Sequence, residues 1–395
     1  MQNNTLSRAD LSNETGIAKN VHYGDVLIKF GDVLDVSREQ LPMIKDEKVL
    51  DKYKASFLQN GDVIIADTAE DTTVGKCSEI AGLRDEVVLS GLHTIPYRPV
   101  EKFATGYLGY YLNSGAYHDQ LIPLMQGIKV TSISKSAMKD TDIVYPKSTE
   151  EQAMIGSYFQ SLDHLITLHQ RKCEQTKNLK KYMLQKMFPQ NGAKVPEIRF
   201  NGFTHDWEQR KLIDYLEVSS EKNRDNRFTK EDVLSVSGEY GIVNQIEFQG
   251  RSFAGASVSN YGVVENGDVV YTKSPLKSNP YGIIKTNKGI PGIVSTLYAV
   301  YKPKEITDSK FVQIYFELDS RMNSYMHPLV NKGAKNDMKV SAENALKGMV
   351  SFPKKDEQEM ISLYFSTLDN LITLHQRQCD ELKKMKKYML QNMFI

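Results

Sequence analysis

Two segments of the chain carry seam residues at spacings that alternate between four and three. In residues 151–188 the seam positions are Ile155, Phe159, Leu162, Ile166, His169, Cys173, Thr176, Lys180, Met183 and Met187. In residues 357–394 they are Ile361, Phe365, Leu368, Ile372, His375, Cys379, Leu382, Lys386, Met389 and Met393. Most of these positions are apolar, which is typical of a coiled coil. The pattern predicts two long helices that pair with each other; the alternative is that each packs on its own domain.

The two segments are copies of one sequence. Residues 151–188 and 357–394 align at an offset of 206 without a gap, and 25 of the 38 positions are identical. Weaker matches lie upstream, between the NGDV strings at 60–63 and 266–269 and between Gly127 and Gly333. Between these anchors the halves diverge. Recognition modules for different targets that share one frame are expected to differ in this way.

Short β-branched runs bounded by Gly, Asp and Pro predict strands. In the first half these runs are 24–30, 61–67, 86–95 and 143–145, and in the second half they are 233–236, 269–272, 282–286, 293–300 and 349–352. Helices are predicted within 102–125, with a break near Gly115, and across 309–326. Pro189 ends the first long helix and begins a linker. Each half is therefore predicted to be a mixed α/β unit that leads into a long helix.

The length of the predicted helices bears on the distance between the two domains. At about 1.5 Å per residue, a helix of this kind spans roughly 57 Å. If the two helices run antiparallel, the two domains lie at opposite ends and are related by a pseudo-two-fold axis. Two recognition units placed in this way would read DNA half-sites about one helical turn apart, roughly 34–36 Å from centre to centre.

The composition limits the classes of protein to which the chain can belong. The chain has 50 Lys and Arg against 49 Asp and Glu, a net charge of +1, so any nucleic-acid surface must come from local clusters or from partner subunits. Three cysteines argue against a disulfide framework and fit a reducing compartment. No apolar run approaches the roughly 18 residues that cross a bilayer, and the start lacks a signal-peptide pattern. We therefore expect a cytoplasmic protein.

Repeated motifs point to a known family. The strings PKSTEEQ at 146–152 and PKKDEQ at 353–358 each open a long helix, and LDxLITLHQR and KKYMLQxMF occur in both helices. Residues 195–212, VPEIRFNGFTHDWEQRKL, contain the single tryptophan, Trp207, and are called the lead-in below. In these features the chain resembles the specificity subunit of type I restriction-modification systems, and the resemblance covers nearly the whole chain from about residue 20.

The resemblance implies a fold, a ligand and partners. The fold is α+β, with two α/β target-recognition domains separated by two long antiparallel coiled-coil helices and a pseudo-two-fold axis. The ligand is double-stranded DNA, read at two short parts that flank an unread spacer. The partners are two methyltransferase subunits, which carry S-adenosylmethionine and methylate adenine, and optional restriction subunits, which hydrolyse ATP with Mg²⁺. No cofactor and no membrane contact is expected for this chain.

The predicted domain boundaries follow the repeat. Residues 1–149 form the first target-recognition domain, 150–190 the first spacer helix, 191–355 the linker with the second target-recognition domain, and 356–395 the second spacer helix. The first half has no counterpart of the lead-in. Either the amino-terminal domain is trimmed or its lead-in comes from elsewhere, and the sequence leaves both open.

Catalytic motifs are absent from the sequence. The string NPYG at 279–282 is the nearest to the Asn/Asp-Pro-Pro-aromatic motif of amino-methyltransferases, and it lacks the second proline. There is no GxxxxGK[ST] phosphate loop and no GxGxxG after a strand. The chain is therefore predicted to be a non-catalytic subunit. The alternatives are a stand-alone sequence-specific DNA-binding protein, a coiled-coil scaffold without a DNA role, and a single-chain methyltransferase.

Polar and basic loops are the predicted DNA contacts. Lysines neutralise phosphates, and Ser, Asn and Tyr side chains bond or pack against bases and sugars. In the second half the candidates are Lys273, Ser274, Lys277, Ser278, Asn279, Tyr281, Lys332 and Lys335, with Arg251 and Ser252 as weaker ones. In the first half they are Lys29, Thr72, Lys76, Lys129 and Lys135. A solvated loop is the alternative at each place.

The carboxyl-terminal ends of both long helices are the predicted methyltransferase interface. The candidate residues are Tyr182, Leu184 and Phe188 with their repeat mates Tyr388, Leu390 and Phe394. They lie partly off the seam, and apolar residues off a seam need another partner. The lysines around them are otherwise interpreted as a solvated face.

A histidine and a cysteine lie four residues apart in each helix and face one side. In a centred antiparallel pair, His169 would lie near Cys379 and His375 near Cys173. Such a cluster could form a Cys₂His₂ zinc site. The preferred interpretation is that these are small seam residues without a metal.

Overall fold

The structure is a computed structural model that describes residues 1–190, 192–255, 257–273, 279–332 and 338–394. Its strands, short helices and two long helices confirm the predicted α+β class. The chain forms unit 1, which contains Met1–Arg171 and His375–Ile395, and unit 2, which contains Lys172–Leu374. Each long helix is thus divided between the two units. Among the described residues, every helix is too short or too polar to cross a bilayer.

Unit 1 is built from short elements that precede a long helix. These are β1 (Ala18–Val21), α1 (Tyr23–Ile28), β2 (Val33–Asp35), β3 (Met43–Ile44), α2 (Glu47–Tyr53), β4 (Val63–Ala66), β5 (Thr68–Ala69), β6 (Cys77–Ala81), β7 (Val88–Ser90), β8 (Thr94–Tyr97), α3 (Tyr107–Leu112), α4 (Gly115–Leu121) and β9 (Thr131–Ser132). The first long helix is α5 (Thr149–Lys186).

Unit 2 repeats this order with additional strands. Its elements are β10 (Glu208–Lys211), β11 (Leu216–Val218), β12 (Leu234–Ser237), β13 (Gly241–Asn244), α6 (Gln245–Gln249), β14 (Gly262–Val264), β15 (Val269–Thr272), β16 (Ile284–Thr286), β17 (Gly292–Val294), β18 (Tyr298–Pro303), α7 (Ser309–Tyr315), α8 (Asp319–Met326), β19 (Asn331–Lys332), β20 (Met338–Lys339), α9 (Ala342–Ala345) and β21 (Met349–Phe352). The second long helix is α10 (Lys355–Asn392).

A four-stranded sheet forms the centre of each unit, and it is mixed in unit 1 and antiparallel in unit 2. Its strand order is β2-β6-β4-β8 in unit 1 and β11-β18-β15-β16 in unit 2. Strands β4 and β15 follow the repeated NGDV turns, where Gly61 and Gly267 adopt φ angles of 88° and 91°, a conformation that glycine tolerates best. Strand β8 corresponds to β18, since Val63 lies opposite Tyr97 as Val269 lies opposite Tyr301. The outer strands therefore lie at opposite edges, where β2 joins β6 in parallel and β11 joins β18 antiparallel. The smaller sheets have the orders β3-β1-β7, β5-β9, β10-β21, β12-β13, β14-β17 and β19-β20.

In unit 1, the first part of α5 packs antiparallel against the end of α10. The rings of Phe159 and Phe394 stack with centroids 5.7 Å apart. Further along α5 and further back along α10, Asp163 pairs with Lys386, and then His169 meets His375. The two helix segments therefore run antiparallel, as the family resemblance implied.

In unit 2, the end of α5 packs antiparallel against the first part of α10. Cys173 Sγ lies 3.9 Å from the carbonyl oxygen of Ile372, and Lys180 Nζ lies 2.6 Å from Asp369 Oδ1. Near the end of α5, the rings of Phe188 and Phe365 lie 6.2 Å apart. Phe159 and Phe365 are also buried in the cores of their own units. The helix halves thus pair with each other and also pack on their domains, so both alternatives hold.

The repeated PKSTEEQ and PKKDEQ motifs end on a buried glutamine. Gln152 accepts a hydrogen bond from the backbone N–H of Ala104 at 3.0 Å and donates to the carbonyl of Pro146 at 2.8 Å. Gln358 does the same with Asp308 and Pro353, at 3.0 and 2.9 Å. Because a buried amide must have partners, the motif ties the start of each long helix to the chain before it.

Most of the predicted strands are present, with changes at their ends. Five of the predicted runs correspond to β4, β12, β15, β16 and β21, and the runs 86–95 and 293–300 each divide into two strands, β7 with β8 and β17 with β18. The predicted helices also divide, into α3 with α4 and α7 with α8. Such breaks are expected where a polar loop interrupts an apolar run.

Two predicted strands are wrong. Residues 24–30 lie largely in helix α1, where His22 caps the first turn by accepting a hydrogen bond from the N–H of Gly24 at 3.2 Å. A short apolar run does not by itself distinguish a helix from a strand. Residues 143–145 are not a strand. Their equivalent in unit 2 is β21, which pairs with β10 of the lead-in, whereas among the described residues no strand pairs with 143–145.

Candidate nucleic-acid interface

In unit 2, the predicted contact loop begins at the end of β15. The side chain of Lys273 is half-buried; burial first, and then the charge of Lys222, lower the pKa of its amine, while Glu343 acts in the opposite direction. Two lysines that repel each other favour the approach of an anion such as a phosphate. Lys222 was missed from the sequence because it lies about 50 residues away.

The rest of this loop is only partly described. Asn279 donates a hydrogen bond to Asp319 Oδ1 at 2.6 Å, and the ring of Tyr281 packs on the core of unit 2. The carbonyl of Tyr281 accepts a hydrogen bond from the hydroxyl of Tyr271. Both side chains are held by the fold, which limits how far they can reach towards a base. The predicted contacts Ser274, Lys277, Ser278 and Lys335 lie outside the described residues, and Lys332 ends strand β19.

In unit 1, the pairing of β5 with β9 brings together two of the predicted segments. Thr68 lies opposite Ser132 and Ala69 opposite Thr131. This pairing places the exposed Thr72 and the exposed Lys129 on loops that adjoin the same short sheet. Lys135 is also exposed; its amine lies 5.5 Å from the centre of the Tyr97 ring and donates a hydrogen bond to the carbonyl of Met1.

Two other predicted lysines gather at the carboxyl-terminal end of α1. Lys76 donates hydrogen bonds to the carbonyls of Leu27 and Phe30 at 2.8 and 3.3 Å. Burial lowers the pKa of its amine, and the nearby Asp32 acts against that. The amine of Lys76 thus caps a helix end, where a cation is favourable, and this position favours a structural role over the predicted DNA contact. Lys29 is exposed, although its amine donates to the carbonyl of Gln40.

Exposed aromatic side chains form a further candidate surface in unit 2. The rings of Tyr240 and Phe248 lie 5.5 Å apart, and the guanidinium of Arg251 lies 4.6 Å from the centre of the Phe253 ring. These three aromatic side chains are exposed. Aromatic and guanidinium groups can pack against sugars or bases. In the sequence only Arg251 was singled out, because isolated aromatic residues give no periodic signal.

The lysines in the seam are partly buried in ion clusters, which the sequence did not predict. In unit 1, Lys386 Nζ lies 2.6 Å from Asp32 and 2.5 Å from Asp163. Burial acts to lower the pKa of Lys386, but the two carboxylates outweigh it, and the pKa is raised. The aromatic ring of Tyr110 lies 5.3 Å from the amine, and its hydroxyl donates to Asp163. Lys386 therefore links α10 to α5 through Asp163 and links α10 to the domain through Asp32.

Unit 2 contains the matching cluster. Lys180, 206 residues before Lys386, lies 2.6 Å from both Glu317 and Asp369. Burial again opposes the raised pKa of the amine, and the two carboxylates again outweigh it. The interpretation of Lys180 as part of a solvated basic face is therefore wrong. The signal that could have found it was its place on the seam together with Asp369, the repeat mate of Asp163.

The predicted methyltransferase interface is corrected at its apolar residues. In unit 2, Leu184 and Phe188 are buried, and Phe188 contacts the rings of Trp207, Phe311 and Tyr315 and the guanidinium of Arg321. These apolar residues find their partner inside their own unit, so the premise that they need another subunit is wrong.

The same holds for their repeat mates in unit 1. Phe394 is buried against Tyr107, Tyr111 and Phe159, and Leu390 packs partly buried on the same core. Only Tyr182 and Tyr388 of the predicted set are exposed. They stay predicted interface residues.

The histidines of the seam contact each other in unit 1. His169 Nδ1 lies 3.1 Å from His375 Nδ1, so one ring donates and the other accepts. The expectation that each histidine faces a cysteine is therefore not met for this pair. Among the described residues, no group of three or more His, Cys, Asp and Glu side chains is placed to hold a metal ion.

Comparison with known proteins gives consistent matches. Residues 24–178 match the family model described as the type I restriction modification DNA specificity domain. A protein of Methanocaldococcus jannaschii named as the specificity subunit of the type I restriction enzyme MjaX is 23% identical over 388 residues, which cover 91% of this chain and 81% of that protein. The crystal structure of a type I restriction-modification S subunit from M. genitalium covers 100% of this chain and 93% of its own, with a TM-score of 0.58.

That structure is 12% identical to this chain, so it bears on the fold alone. The family match and the named relative agree with the repeated helix motifs quoted above. These matches confirm the resemblance to the DNA specificity subunits of type I restriction-modification systems, and the family match covers residues 24–178 of the chain.

Proposed function

We propose that this chain reads a bipartite DNA target and positions adenine methyltransferase subunits on it, together with optional motor-nuclease subunits. The observation that carries the proposal is that the two units share their helix contacts but differ in their surface loops. The two units use repeat mates for the same helix contacts, Lys386 with Asp163 and Lys180 with Asp369. The loops at their sheets differ in sequence and structure. A constant frame with two different surfaces suits a reader of two unlike half-sites.

The phosphate contacts are proposed to come from each unit separately. In unit 2 they are Lys273 and its neighbour Lys222, and in unit 1 they are Lys129 and Thr72 beside the β5–β9 sheet. Contacts with phosphates fix the register of a protein on DNA, and contacts with base edges supply the sequence information. The exposed aromatic side chains of unit 2 are proposed to pack against sugars or bases at its half-site.

Catalysis is proposed to reside in the partners. The sequence lacks the methyltransferase and phosphate-loop motifs, which supports a chain that binds no cofactor itself. S-adenosylmethionine, ATP and Mg²⁺ are then bound by the methyltransferase and motor-nuclease subunits. The isolated chain should show no heat of binding with S-adenosylmethionine in calorimetry, and measurable binding would favour the single-chain methyltransferase.

Mapping methylated adenines tests the proposal. The chain is expressed with its methyltransferase partner in a host that lacks other adenine methylation, and the host DNA is sequenced for modified bases. We expect one motif with two specified parts and an unspecified spacer. The exposed pair Thr72→Ala and Lys129→Ala should weaken methylation without changing the part of the motif read by unit 2. A single continuous motif, or salt-independent binding to duplex DNA, would contradict the proposal.

A further inference from the structure

The corresponding strands β4 and β15 are followed by residues of opposite charge. Asp67 follows β4, and Lys273, 206 residues later, follows β15. The backbone N–H of Asp67 donates to the carbonyl of His93 at 3.1 Å. The N–H of Lys273 donates to the carbonyl of Leu297 at 3.2 Å, and the strands β8 and β18 pair with β4 and β15 in the same register. Asp67 therefore occupies in unit 1 the place that Lys273 occupies in unit 2.

Asp67 does not suit the phosphate contact that is proposed for Lys273, because a carboxylate repels a phosphate. Its Oδ1 accepts a hydrogen bond from the hydroxyl of Thr68 at 2.7 Å and lies 3.2 Å from His93 Nδ1. An ionised carboxylate only accepts hydrogen bonds, so Nδ1 carries a proton. The other ring nitrogen, Nε2, is then an acceptor in the neutral imidazole. Asp67 therefore orients the His93 ring and selects the atom that the ring presents.

The imidazole of His93 is held in place and is nevertheless exposed. The ring of Tyr23 packs against it with centroids 5.3 Å apart and ring planes at 75°. The side chain of His93 is 48% exposed, and among the described residues Nε2 has no hydrogen-bond partner. An acceptor that is already oriented loses little freedom when it binds a ligand. The structure thus prepares Nε2 to receive a hydrogen bond from outside the chain.

The backbone of His93 has a conformation that glycine adopts more readily. Its φ angle is 55°, and among the described residues Asn226 is the only other non-glycine residue with a positive φ. This left-handed conformation costs free energy in a residue that carries a Cβ atom. The repeat mate Leu297 does not adopt a positive φ. Strained residues of this kind cluster at functional sites, so the imidazole, rather than the turn, accounts for a histidine at this position.

His93 lies beside the candidate DNA contacts of unit 1. Thr68, which donates to Asp67, belongs to β5 of the β5–β9 sheet. The exposed Thr72 and Lys129 lie on the loops that adjoin this sheet. Contacts with phosphates fix the position of a protein on DNA, whereas groups that reach base edges distinguish sequences. This surface of unit 1 thus combines a cation that suits a phosphate with an oriented acceptor that suits a base.

We propose that His93 reads one base pair of the half-site bound by unit 1 and that Asp67 is its positioning residue. This inference rests on the proposed function, since it requires unit 1 to bind DNA. In the major groove, adenine N6 and cytosine N4 are the amino groups that can donate to Nε2. Guanine and thymine present acceptors at that edge, and two acceptors repel each other. The position that His93 reads is therefore an adenine or a cytosine on the contacted strand.

Mapping of methylated adenines with variants of His93 tests this role, in the full chain expressed with its methyltransferase partner. His93→Gly suits the left-handed turn and removes the ring, whereas His93→Asn keeps a donor for Asp67 but lacks Nε2. Both should accept other bases at one position of one part of the motif, with discrimination there reduced roughly tenfold or more. The other part should be unchanged. The matched control is His164→Ala, at an exposed histidine of α5, and it should leave both parts unchanged.

Variants of Asp67 test its role as a positioning residue. Asp67→Ala removes the acceptor for Nδ1–H and should reduce discrimination at the same base pair. Total affinity for duplex DNA should not fall, because the variant also loses a negative charge near the phosphates. Asp67→Asn keeps an acceptor oxygen and should restore most of the discrimination. A merely structural role of Asp67 would lower affinity and discrimination together.

Circular dichroism confirms that each variant is folded. The inference is overturned if His93→Gly and His93→Asn keep the natural motif, or if they weaken methylation of all sequences equally, as loss of a phosphate contact would. It is also overturned if Asp67→Asn is as defective as Asp67→Ala. These outcomes leave a bipartite motif for the natural chain, and with it the proposed function. A natural motif in one continuous part would overturn the proposed function, and this inference with it.

Discussion

In both units the same helix lysine lies in a partly buried ion cluster, but different residues complete the cluster. Lys386 and Lys180 are repeat mates, and so are their helix partners Asp163 and Asp369. The third carboxylate comes from Asp32, just before β2, in unit 1, and from Glu317, just after α7, in unit 2. The difference teaches that duplication preserved the contact between helices, whereas each domain supplied its own contact to the helix.

The completeness of the two clusters also differs. Asp32 accepts an additional hydrogen bond from Asn113 at 2.8 Å, while Glu317 Oε2 is buried without a hydrogen-bond partner among the described residues. A buried acceptor that lacks a partner costs free energy. The cluster of unit 2 therefore depends more strongly on its lysine.

Removal of an aromatic anchor should give the largest effect. Phe188→Ala leaves a cavity among Trp207, Phe311 and Tyr315 and should lower the free energy of unfolding by about 3–5 kcal/mol, measured by urea titration. Phe394→Ala should cost less, because Phe394 is 8% exposed and Phe188 1%. Loss of methyltransferase co-purification with unchanged stability would instead restore the interface prediction for these residues.

Replacement of Lys180 or Lys386 tests the difference between the two ion clusters directly. Lys180→Met and Lys386→Met each leave two carboxylates together. The cost should be about 2–3 kcal/mol, below the value for fully buried pairs because Asp163 and Asp369 are partly exposed. Lys180→Met should lower the free energy of unfolding more than Lys386→Met does. In unit 1, Asp32 still accepts a hydrogen bond from Asn113 when the lysine is replaced. The exposed Lys181→Met is the control, with a change within about 0.5 kcal/mol.

The pH dependence of these lysines has a definite sign. Their pKa values are raised in the folded chain, above the ordinary 10.5. Their contribution to stability is therefore complete below about pH 10.5 and is lost as the pH rises through the folded pKa. The difference in unfolding free energy between the natural chain and either Met variant should shrink in that alkaline range and stay constant near neutrality. A difference that shrinks near neutrality would count against the ion clusters.

Glu357 and its repeat mate Glu151, at the starts of the two long helices, should differ clearly in how much each stabilises the fold. Glu357→Gln breaks a buried pair with Arg199 and should cost about 2 kcal/mol, since Gln keeps one acceptor oxygen. Glu151→Gln, at an exposed position, should change stability by less than about 0.5 kcal/mol. Equal costs would mean that Glu151 is already paired in the chain alone.

The smallest effect concerns two lysines predicted from the sequence as DNA contacts. Lys273→Ala should reduce the slope of log K against log salt by about one. Lys76→Ala should leave that slope unchanged, because its amine caps α1. Salt titrations with a duplex that contains the mapped target measure both. An unchanged slope for Lys273→Ala would remove it from the interface.

The fold was predicted better than the candidate site. Helices α5 and α10 repeat heptad positions over 38 residues each. Such a period can be recognised in the sequence whatever the helices pack against. The strands β15 and β21 were predicted with their observed bounds, because each is a short run that ends before a lysine or a proline. The contact residues were predicted less well, since a lysine in a loop has the same local sequence whether its amine faces solvent or, like Lys76, a helix end.

The sequence by itself determined the duplication, the two long helices and the family resemblance, because identity at a fixed offset and heptad spacing are properties of the chain. The tertiary structure alone decided which polar groups are buried. Lys180 meets Glu317 across 137 residues, and Lys386 meets Asp32 across 354. Partners so far apart leave no local pattern. Charge and burial at a site depend on which elements meet there, and only the folded chain brings them together.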